Sequence, residues 1–154
     1  MSIVIESPSE VLTDSEFILN NARENAQLTG LRYSGDISPS EAWTLFEHGD
    51  AKLIDVRTIE ERQSVGYVPE SIHVAWAIGN PLVSNPRFVR ELENKASKLD
   101  VILLLCRSGK RSVAAAETVS RLGYKNVFNI TEGFEGENSL KNGWVNRNLP
   151  WVKE

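Results

Sequence analysis

Residues 101–116 read Val-Ile-Leu-Leu-Leu-Cys-Arg-Ser-Gly-Lys-Arg-Ser-Val-Ala-Ala-Ala, and this stretch predicts a strand, a loop and a helix. The unbroken apolar run Val101 to Leu105 is typical of a parallel strand that is buried on both faces. Ser112 is a candidate helix cap, and the three alanines behind it favour a helix that Gly123 can end. Cys106, the single cysteine of the chain, is therefore predicted to lie where the strand stops and the loop begins.

The position of this cysteine favours a reactive thiolate. In open α/β sheets, ligands bind beyond the carboxyl ends of the strands. A loop that enters a helix N-terminus offers backbone N–H groups and partial positive charge to an anion. Arg107, Lys110 and Arg111 place three cations in the same loop, so we expect the thiolate to be favoured over the thiol. The alternative is a buried structural cysteine beside a solvated basic turn.

The composition is that of an ordinary globular protein. The chain has 154 residues, of which 41% are hydrophobic and 25% are charged, and its formal net charge is -4. Such a balance gives no general attraction to nucleic acid, so the basic loop is a local patch that suits a small anionic ligand. With two histidines and one cysteine, a metal site built from soft ligands is not expected.

The compartment is predicted from absences. A single cysteine allows no intramolecular disulfide, and no N-terminal stretch has the basic and apolar regions of a signal peptide. No apolar run approaches the ~20 residues that a membrane span requires. We therefore expect a cytoplasmic protein without a membrane partner.

Strand-like and helix-like segments alternate along the chain, which predicts a parallel sheet that is covered on both faces. A helix from Thr13 or Asp14 towards Leu28 precedes this pattern, and Ile3-Val4-Ile5 is a possible edge strand. We accordingly divide the chain into a tail and helix over 1–32 and a domain over 33–154. The predicted strands span 33–37, 51–56, 71–75, 101–105 and 126–130, and the later predicted helices start near 38, 58, 88 and 112. One face of the helix near 88 is predicted to carry Phe88, Leu92, Ala96 and Leu99.

Four short motifs give the chain a family resemblance. They are Asp55-Val56-Arg57-Thr58 with Glu61, then Gly66-Tyr67-Val68-Pro69, then Cys106-Arg107-Ser108-Gly109-Lys110-Arg111-Ser112, and finally Gly133-Phe134. Each motif is weak alone, but their order and the strand-end cysteine are specific. The chain resembles a single-domain rhodanese, which is a sulfurtransferase, over about residues 33–151.

The resemblance implies an α/β fold with a doubly wound, five-stranded and mainly parallel sheet, to which the N-terminal helix is an addition. It also implies a ping-pong reaction without a cofactor. Cys106 takes a sulfane sulfur from a small anionic donor such as thiosulfate, and cyanide, a cellular thiol or a protein acceptor then removes it. The predicted donor-binding residues, with their backbone amides, are Arg107, Ser108, Gly109, Lys110, Arg111 and Ser112.

Several side chains keep two interpretations at this stage. Arg111 either faces the ligand or turns inward to brace the loop against Asp55 or Glu61. Asp55 and Arg57 either border the crevice or form a structural ion pair beneath it. Tyr67 stands where the family commonly has histidine, in a turn that we interpret as structural. The tryptophans that either wall the cleft or belong to the core are Trp76, Trp144 and Trp151.

Two other functions compete with sulfur transfer. The first is a phosphatase or an arsenate reductase. The cell-cycle dual-specificity phosphatases, which share this fold in the resemblance, carry five residues between cysteine and arginine, whereas four separate Cys106 from Arg111. A shorter loop should fit a sulfur atom better than a tetrahedral phosphate. A persulfide-sensing, redox-sensing or sulfur-carrier module would use the same residues. Because the chain has no second cysteine, an external thiol must resolve an oxidised or persulfidated Cys106 in either case.

Overall fold

The computed structural model describes residues 13–137 and 139–154, so the predicted edge strand at residues 3–5 lies outside the described residues. Helices and strands alternate through most of the described chain. The helices are α1 (Asp14–Thr29), α2 (Pro39–Glu47), α3 (Ile59–Val65), α4 (Phe88–Lys95) and α5 (Arg111–Arg121). The strands are β1 (Gly35–Ile37), β2 (Lys52–Asp55), β3 (Ile72–His73), β4 (Ala77–Ile78), β5 (Val83–Ser84), β6 (Val101–Leu105) and β7 (Asn126–Ile130).

Five of these strands form one parallel sheet in the order β1-β7-β6-β2-β3, which confirms the predicted fold class. The apolar strand β6 lies at the centre, and the four residues 102–105 are completely buried. Asp55 is the register partner of Leu105, so the carboxyl ends of β2 and β6 lie side by side. The separate antiparallel hairpin of β4 and β5 was not predicted.

Helices cover both faces of the sheet, and each face has its own hydrophobic core. Successive side chains of the central strand β6 point alternately into the two cores. Ile102, Leu104 and Cys106 pack into the core that includes Phe88 and Leu92 of α4. Leu103 and Leu105 pack into the other core, together with residues of α1, α2 and the C-terminal segment. The cysteine therefore points to the face that α4 and α5 cover.

The N-terminal helix α1 packs directly on the sheet. Thr13 and Glu16 form a reciprocal capping box at its start, and Leu19, Ala22 and Ala26 are buried. The approach is close, since a Cβ at Gly35 would lie 2.6 Å from the backbone oxygen of Ala22. The division of the chain into segments 1–32 and 33–154 stays a prediction.

Two expectations about helix ends are wrong. Helix α5 begins at Arg111 after a helical Lys110, so Ser112 lies inside the first turn and is not its cap. Helix α4 ends at Lys95 because Ala96 adopts an extended backbone, so Leu99 lies outside the helix and is exposed rather than buried. The apolar spacing continued past the point at which the backbone leaves the helix.

Among the described residues, no helix is both long and apolar enough to cross a membrane. The cytoplasmic location stays a prediction.

Candidate active site

The loop that follows β6 curls around the sulfur of Cys106. The side chain is only 1% exposed, and its Sγ accepts a hydrogen bond of 3.1 Å from the N–H of Gly109. The hydroxyl of Ser112 lies 3.3 Å from the same sulfur. Gly109 has a φ of 94°, and a Cβ there would lie 3.1 Å from the backbone nitrogen of Glu132. Glycine therefore allows the tight turn that brings this amide to the sulfur.

The six predicted donor-binding residues lie in different environments: two contact the sulfur, two are exposed to solvent, one is half-buried, and Arg111 turns inward. Gly109 and Ser112 contact Sγ, and the side chain of Ser112 is completely buried. Arg107 and Lys110 are exposed at the rim, where Arg107 Nε lies 3.5 Å from a carboxylate oxygen of Glu135. Ser108, between them, is half-buried.

Arg111 turns inward and forms a two-pronged ion pair with Glu61. Its Nη1 and Nη2 each donate to one carboxylate oxygen at 2.8 Å, and both side chains are mostly buried. Burial alone would raise the pKa of Glu61, but the hydrogen bonds from Arg111 and from the N–H of Thr58 outweigh it and lower the pKa. The hydrogen bond to Glu61 likewise raises the pKa of Arg111 against the effect of burial. Of the two interpretations of Arg111, the structure has the one in which it braces the loop.

Asp55 and Arg57 form an ion pair that is completely buried beneath the loop. Arg57 donates from Nε to Oδ1 at 3.0 Å and from Nη2 to Oδ2 at 2.8 Å, and Arg62 adds a second cation at 2.9 Å from Oδ2. The Arg57 guanidinium also lies 4.1 Å from the ring centre of Phe134. Neither side chain of the pair is exposed. Of the two interpretations of Asp55 and Arg57, the structure therefore has the structural ion pair.

A second loop, residues 131–136 after β7, supports the cysteine loop from behind. The N–H of Phe134 donates to the carbonyl oxygen of Cys106 at 2.8 Å, and the N–H of Glu135 donates to that of Arg107 at 2.9 Å. Gly133 has a φ of 69°, and a Cβ there would lie 2.6 Å from the carbonyl oxygen of Cys106. The Gly133-Phe134 motif is therefore explained by close backbone contact between the two loops.

Asn129 is a site residue that sequence reasoning missed. It is 3% exposed on β7, and the Ser112 hydroxyl donates a hydrogen bond to its Oδ1. The signal in the sequence was a polar residue between Phe128 and Ile130, near the carboxyl end of a strand whose only other polar residue is Asn126 at its start. A buried amide in that position needs partners, and the cysteine loop supplies one of them.

The other candidate wall residues are distributed between core and rim. Trp144 is completely buried, and Trp76 packs edge-on against Phe88. Trp151, which is 39% exposed, packs edge-on against Phe134. His73 lines a cleft of about 340 Å³ beside β3, where its Nε2 lies 2.7 Å from the carbonyl oxygen of Arg57.

The protein is an α/β protein whose cysteine lies at the carboxyl end of the central parallel strand. A short loop that directs a backbone N–H at the sulfur follows this cysteine and leads into a helix. The chain belongs to the rhodanese-like family, whose domain model matches residues 38–139.

Known relatives agree with this membership. The uncharacterized protein RC0915 of Rickettsia conorii is 41% identical over 113 residues, which cover 70% of this chain and 87% of that protein. Thiosulfate sulfurtransferase 18 of Arabidopsis thaliana is 28% identical over 117 residues, covering 74% and 80%. The crystal structure of Rv0390 from M. tuberculosis superposes with a TM-score of 0.71 at 34% identity, covering 79% and 99%.

Proposed function

We propose that this protein is a sulfurtransferase that carries a sulfane sulfur as a persulfide on Cys106. The observation that carries the proposal is the enclosure of Sγ, at the end of β6, by the Gly109 N–H at 3.1 Å and the Ser112 hydroxyl at 3.3 Å. The Gly109 N–H donates to the sulfur, the Ser112 hydroxyl is close enough to donate to a sulfur anion, and the first turn of α5 adds the positive end of its dipole. Hydrogen-bond donors around the sulfur suit nucleophilic catalysis through a persulfide.

The proposed reaction has two displacement steps. The Cys106 thiolate attacks the outer sulfur of thiosulfate or a related anion, and the S–S bond to sulfite breaks with its electron pair leaving on sulfite. The enzyme then holds a persulfide anion. An acceptor, either cyanide or a thiolate, attacks the outer sulfur, and the electron pair of the second S–S bond returns to Cys106. No external oxidant or reductant enters either step.

The rim residues are proposed to attract and orient the donor. Arg107 and Lys110 are exposed beside the loop, so their charges reach an approaching anion. Arg111 is held by Glu61, and we assign it to the support of the loop. Ser112 is fully buried, so we do not assign its hydroxyl to the donor's sulfonate; the hydroxyl lies between Sγ of Cys106 and Oδ1 of Asn129.

Phosphate-ester hydrolysis fits the site less well. Four residues separate Cys106 from Arg111, and the Arg111 guanidinium is engaged by both oxygens of Glu61. A phosphoryl group would need that guanidinium and a wider ring of amides. The sulfur acceptor is proposed to be an external thiol or a protein, because the chain has one cysteine.

Thiocyanate release from thiosulfate and cyanide tests the proposal. Initial rates over a grid of both substrates should give the parallel double-reciprocal lines of a ping-pong mechanism, and Cys106→Ser should abolish the rate. The paired replacement of Arg107 and Lys110 by glutamine should raise KM for thiosulfate more than it lowers kcat. The paired replacement of Lys98 and Lys125 by glutamine is the matched control, because it removes two exposed positive charges just before the starts of β6 and β7, away from the cysteine loop. Turnover that survives in Cys106→Ser, or aryl-phosphate hydrolysis that depends on Cys106, would contradict the proposal.

A further inference from the structure

A line of hydrogen bonds connects the sulfur of Cys106 to Asp36 on the edge strand β1. Ser112 lies 3.3 Å from Sγ and donates its hydroxyl proton to Asn129 Oδ1. Asn129 in turn donates from Nδ2 to Asp36 Oδ1 at 3.1 Å, and the hydroxyl of Tyr33 donates to the same oxygen at 2.7 Å. Ser112, Asn129 and Tyr33 are buried, whereas Asp36 is exposed at its end of the line.

The carboxylate of Asp36 fixes which way the amide of Asn129 faces. An ionised carboxylate only accepts hydrogen bonds, so Asn129 must direct its NH₂ group towards Asp36 and its oxygen towards Ser112. Burial and the hydrogen bond to Asp36 raise the pKa of Tyr33, so Tyr33 remains a donor to the carboxylate. The acceptor that Ser112 meets is therefore set from the opposite end of the line.

Ser112 has a single proton and two possible acceptors for it. When the Ser112 hydroxyl donates its hydrogen bond to Asn129 Oδ1, its oxygen presents only lone pairs to Sγ, and this arrangement suits a neutral S–H. When Cys106 is a thiolate, the same proton is needed by the sulfur, and Asn129 Oδ1 then loses its donor. Each state of the sulfur thus favours one of two positions of the hydroxyl proton.

We propose that Asn129, oriented by Asp36, is a positioning residue that draws the Ser112 hydroxyl away from Cys106 and thereby holds back the free thiolate relative to the persulfide. The proposal rests on the proposed function in taking Cys106 as the reacting sulfur. In the persulfide, the negative charge lies on the outer sulfur, and the inner Sγ is bonded to carbon and sulfur. The Ser112 hydroxyl then donates its hydrogen bond to Asn129 Oδ1 again, and this hydrogen bond stabilises the persulfide form.

Asn129→Leu, Asn126→Leu and Ser112→Ala leave every charged group around Cys106 unchanged. The cysteine loop and α5 carry Arg107, Lys110 and Arg111. The last residue of β2 is Asp55, and α3 carries Glu61, which pairs with Arg111. The loop after β7 carries Glu132 and Glu135, which are paired with Arg147 and Arg107. An effect of Asn129 on the sulfur therefore comes through Ser112 and not through a change of local charge.

Titration of the reduced protein without any sulfur donor is the test, with the ultraviolet absorbance of the thiolate and the rate of iodoacetamide alkylation as readouts. Asn129→Leu has a similar volume but no acceptor, so the Ser112 proton is free for Sγ. At a fixed pH below the wild-type midpoint, we expect thiolate fraction and alkylation rate to rise about 3- to 10-fold, as one redirected hydrogen bond implies. Asn126→Leu, which replaces a hydrogen-bonded asparagine on the same strand, should leave both readouts unchanged.

Two further variants separate the proposed role from a structural one. Ser112→Ala should remove the gain when it is combined with Asn129→Leu, because no hydroxyl remains to donate. Asp36→Ala changes an exposed residue and releases the orientation of the Asn129 amide, so it should raise the thiolate fraction in the same direction by a smaller factor. Asp36→Ala also removes a negative charge, so its gain supports the proposal only where Ser112→Ala abolishes it. With that double variant, Asp36→Ala carries the test if Asn129→Leu does not fold.

Unchanged or decreased thiolate in folded Asn129→Leu and Asp36→Ala would overturn the proposal. A gain that persists in the double variant with Ser112→Ala would also overturn it. The titration is independent of sulfur transfer, so its result is separable from that of the thiocyanate assay. A protein that shows the shift but forms no persulfide would retain this inference and lose the proposed function.

Discussion

Glu61→Gln is expected to destabilise the cysteine loop and to slow sulfur transfer. Glu61 accepts two hydrogen bonds of 2.8 Å from Arg111, and its Oε1 also accepts the N–H of Thr58 at 3.0 Å to complete a capping box at α3. Glutamine can keep its one side-chain oxygen at the Oε1 position, which accepts from both Arg111 Nη1 and the N–H of Thr58. It replaces the other oxygen by an NH₂ group that is unable to accept from Arg111.

The magnitude follows from these contacts. Hydrogen bonds to charged groups contribute about 1.5–3 kcal/mol each, and the side chains of the pair are 23% and 21% exposed, so solvent replaces only part of the loss. We expect the free energy of unfolding to fall by about 1.5–3 kcal/mol. Arg111 then loses its fixed position at the start of α5, and a misplacement of the loop lowers the rate of persulfide formation by about 10-fold or more.

Urea unfolding and single-turnover persulfide formation measure the two effects. Glu60→Gln is the matched control, because Glu60 is the exposed neighbour in the same helical turn and carries the same charge. A Glu61→Gln protein with wild-type transfer and a stability change below about 0.5 kcal/mol would refute the bracing role of this pair. A similar loss in Glu60→Gln would attribute the effect to net charge instead.

Three further outcomes follow from the same site. The pKa of Glu61 is lower in the folded than in the unfolded protein, so its ionised form stabilises the fold at any pH above the unfolded pKa of ~4.3. This stabilisation is lost as the pH falls through the folded pKa, so the urea midpoints of wild type and Glu61→Gln should converge in acid. A gap between the midpoints that does not change with pH would contradict this. Gly133→Ala should cost at least 2 kcal/mol of stability and most of the transfer rate, whereas Gly49→Ala, with a φ of 78° but nothing within 4 Å of its Cβ, should cost about 1 kcal/mol; equal losses would deny the loop contact. Arg57→Met removes one partner of a buried pair and should cost about 3 kcal/mol in urea unfolding, and a loss under 1 kcal/mol would show that Arg62 alone balances Asp55.

The sheet was predictable because its strands follow simple rules. The apolar run Val101–Leu105 has no alternation, and it forms the central parallel strand, buried on both faces. Serine or threonine followed three residues later by glutamate predicted the start of α2, and the structure has that capping box at Ser38 and Glu41. Local spacing was sufficient where the backbone itself was regular.

Other features depended on contacts between distant segments. Glu61 lies 50 residues before Arg111 in the chain, and the sequence left open whether that arginine faces Glu61, Asp55 or the ligand. Ser112 has the residue type of a helix cap, but the loop enters α5 in a helical conformation and its hydroxyl is engaged by Cys106 and Asn129. Spacing within a segment does not reveal such partners.

The most direct test of the account is the intact mass of the protein after thiosulfate treatment and again after cyanide, for wild type and Cys106→Ser. The account predicts a gain of one sulfur atom in wild type, its loss to cyanide as thiocyanate forms, and no gain in the variant. The measurement is repeated with a polysulfide as a second donor. If neither donor adds sulfur to Cys106, or if Cys106→Ser gains sulfur as wild type does, the account of Cys106 as a persulfide carrier is contradicted.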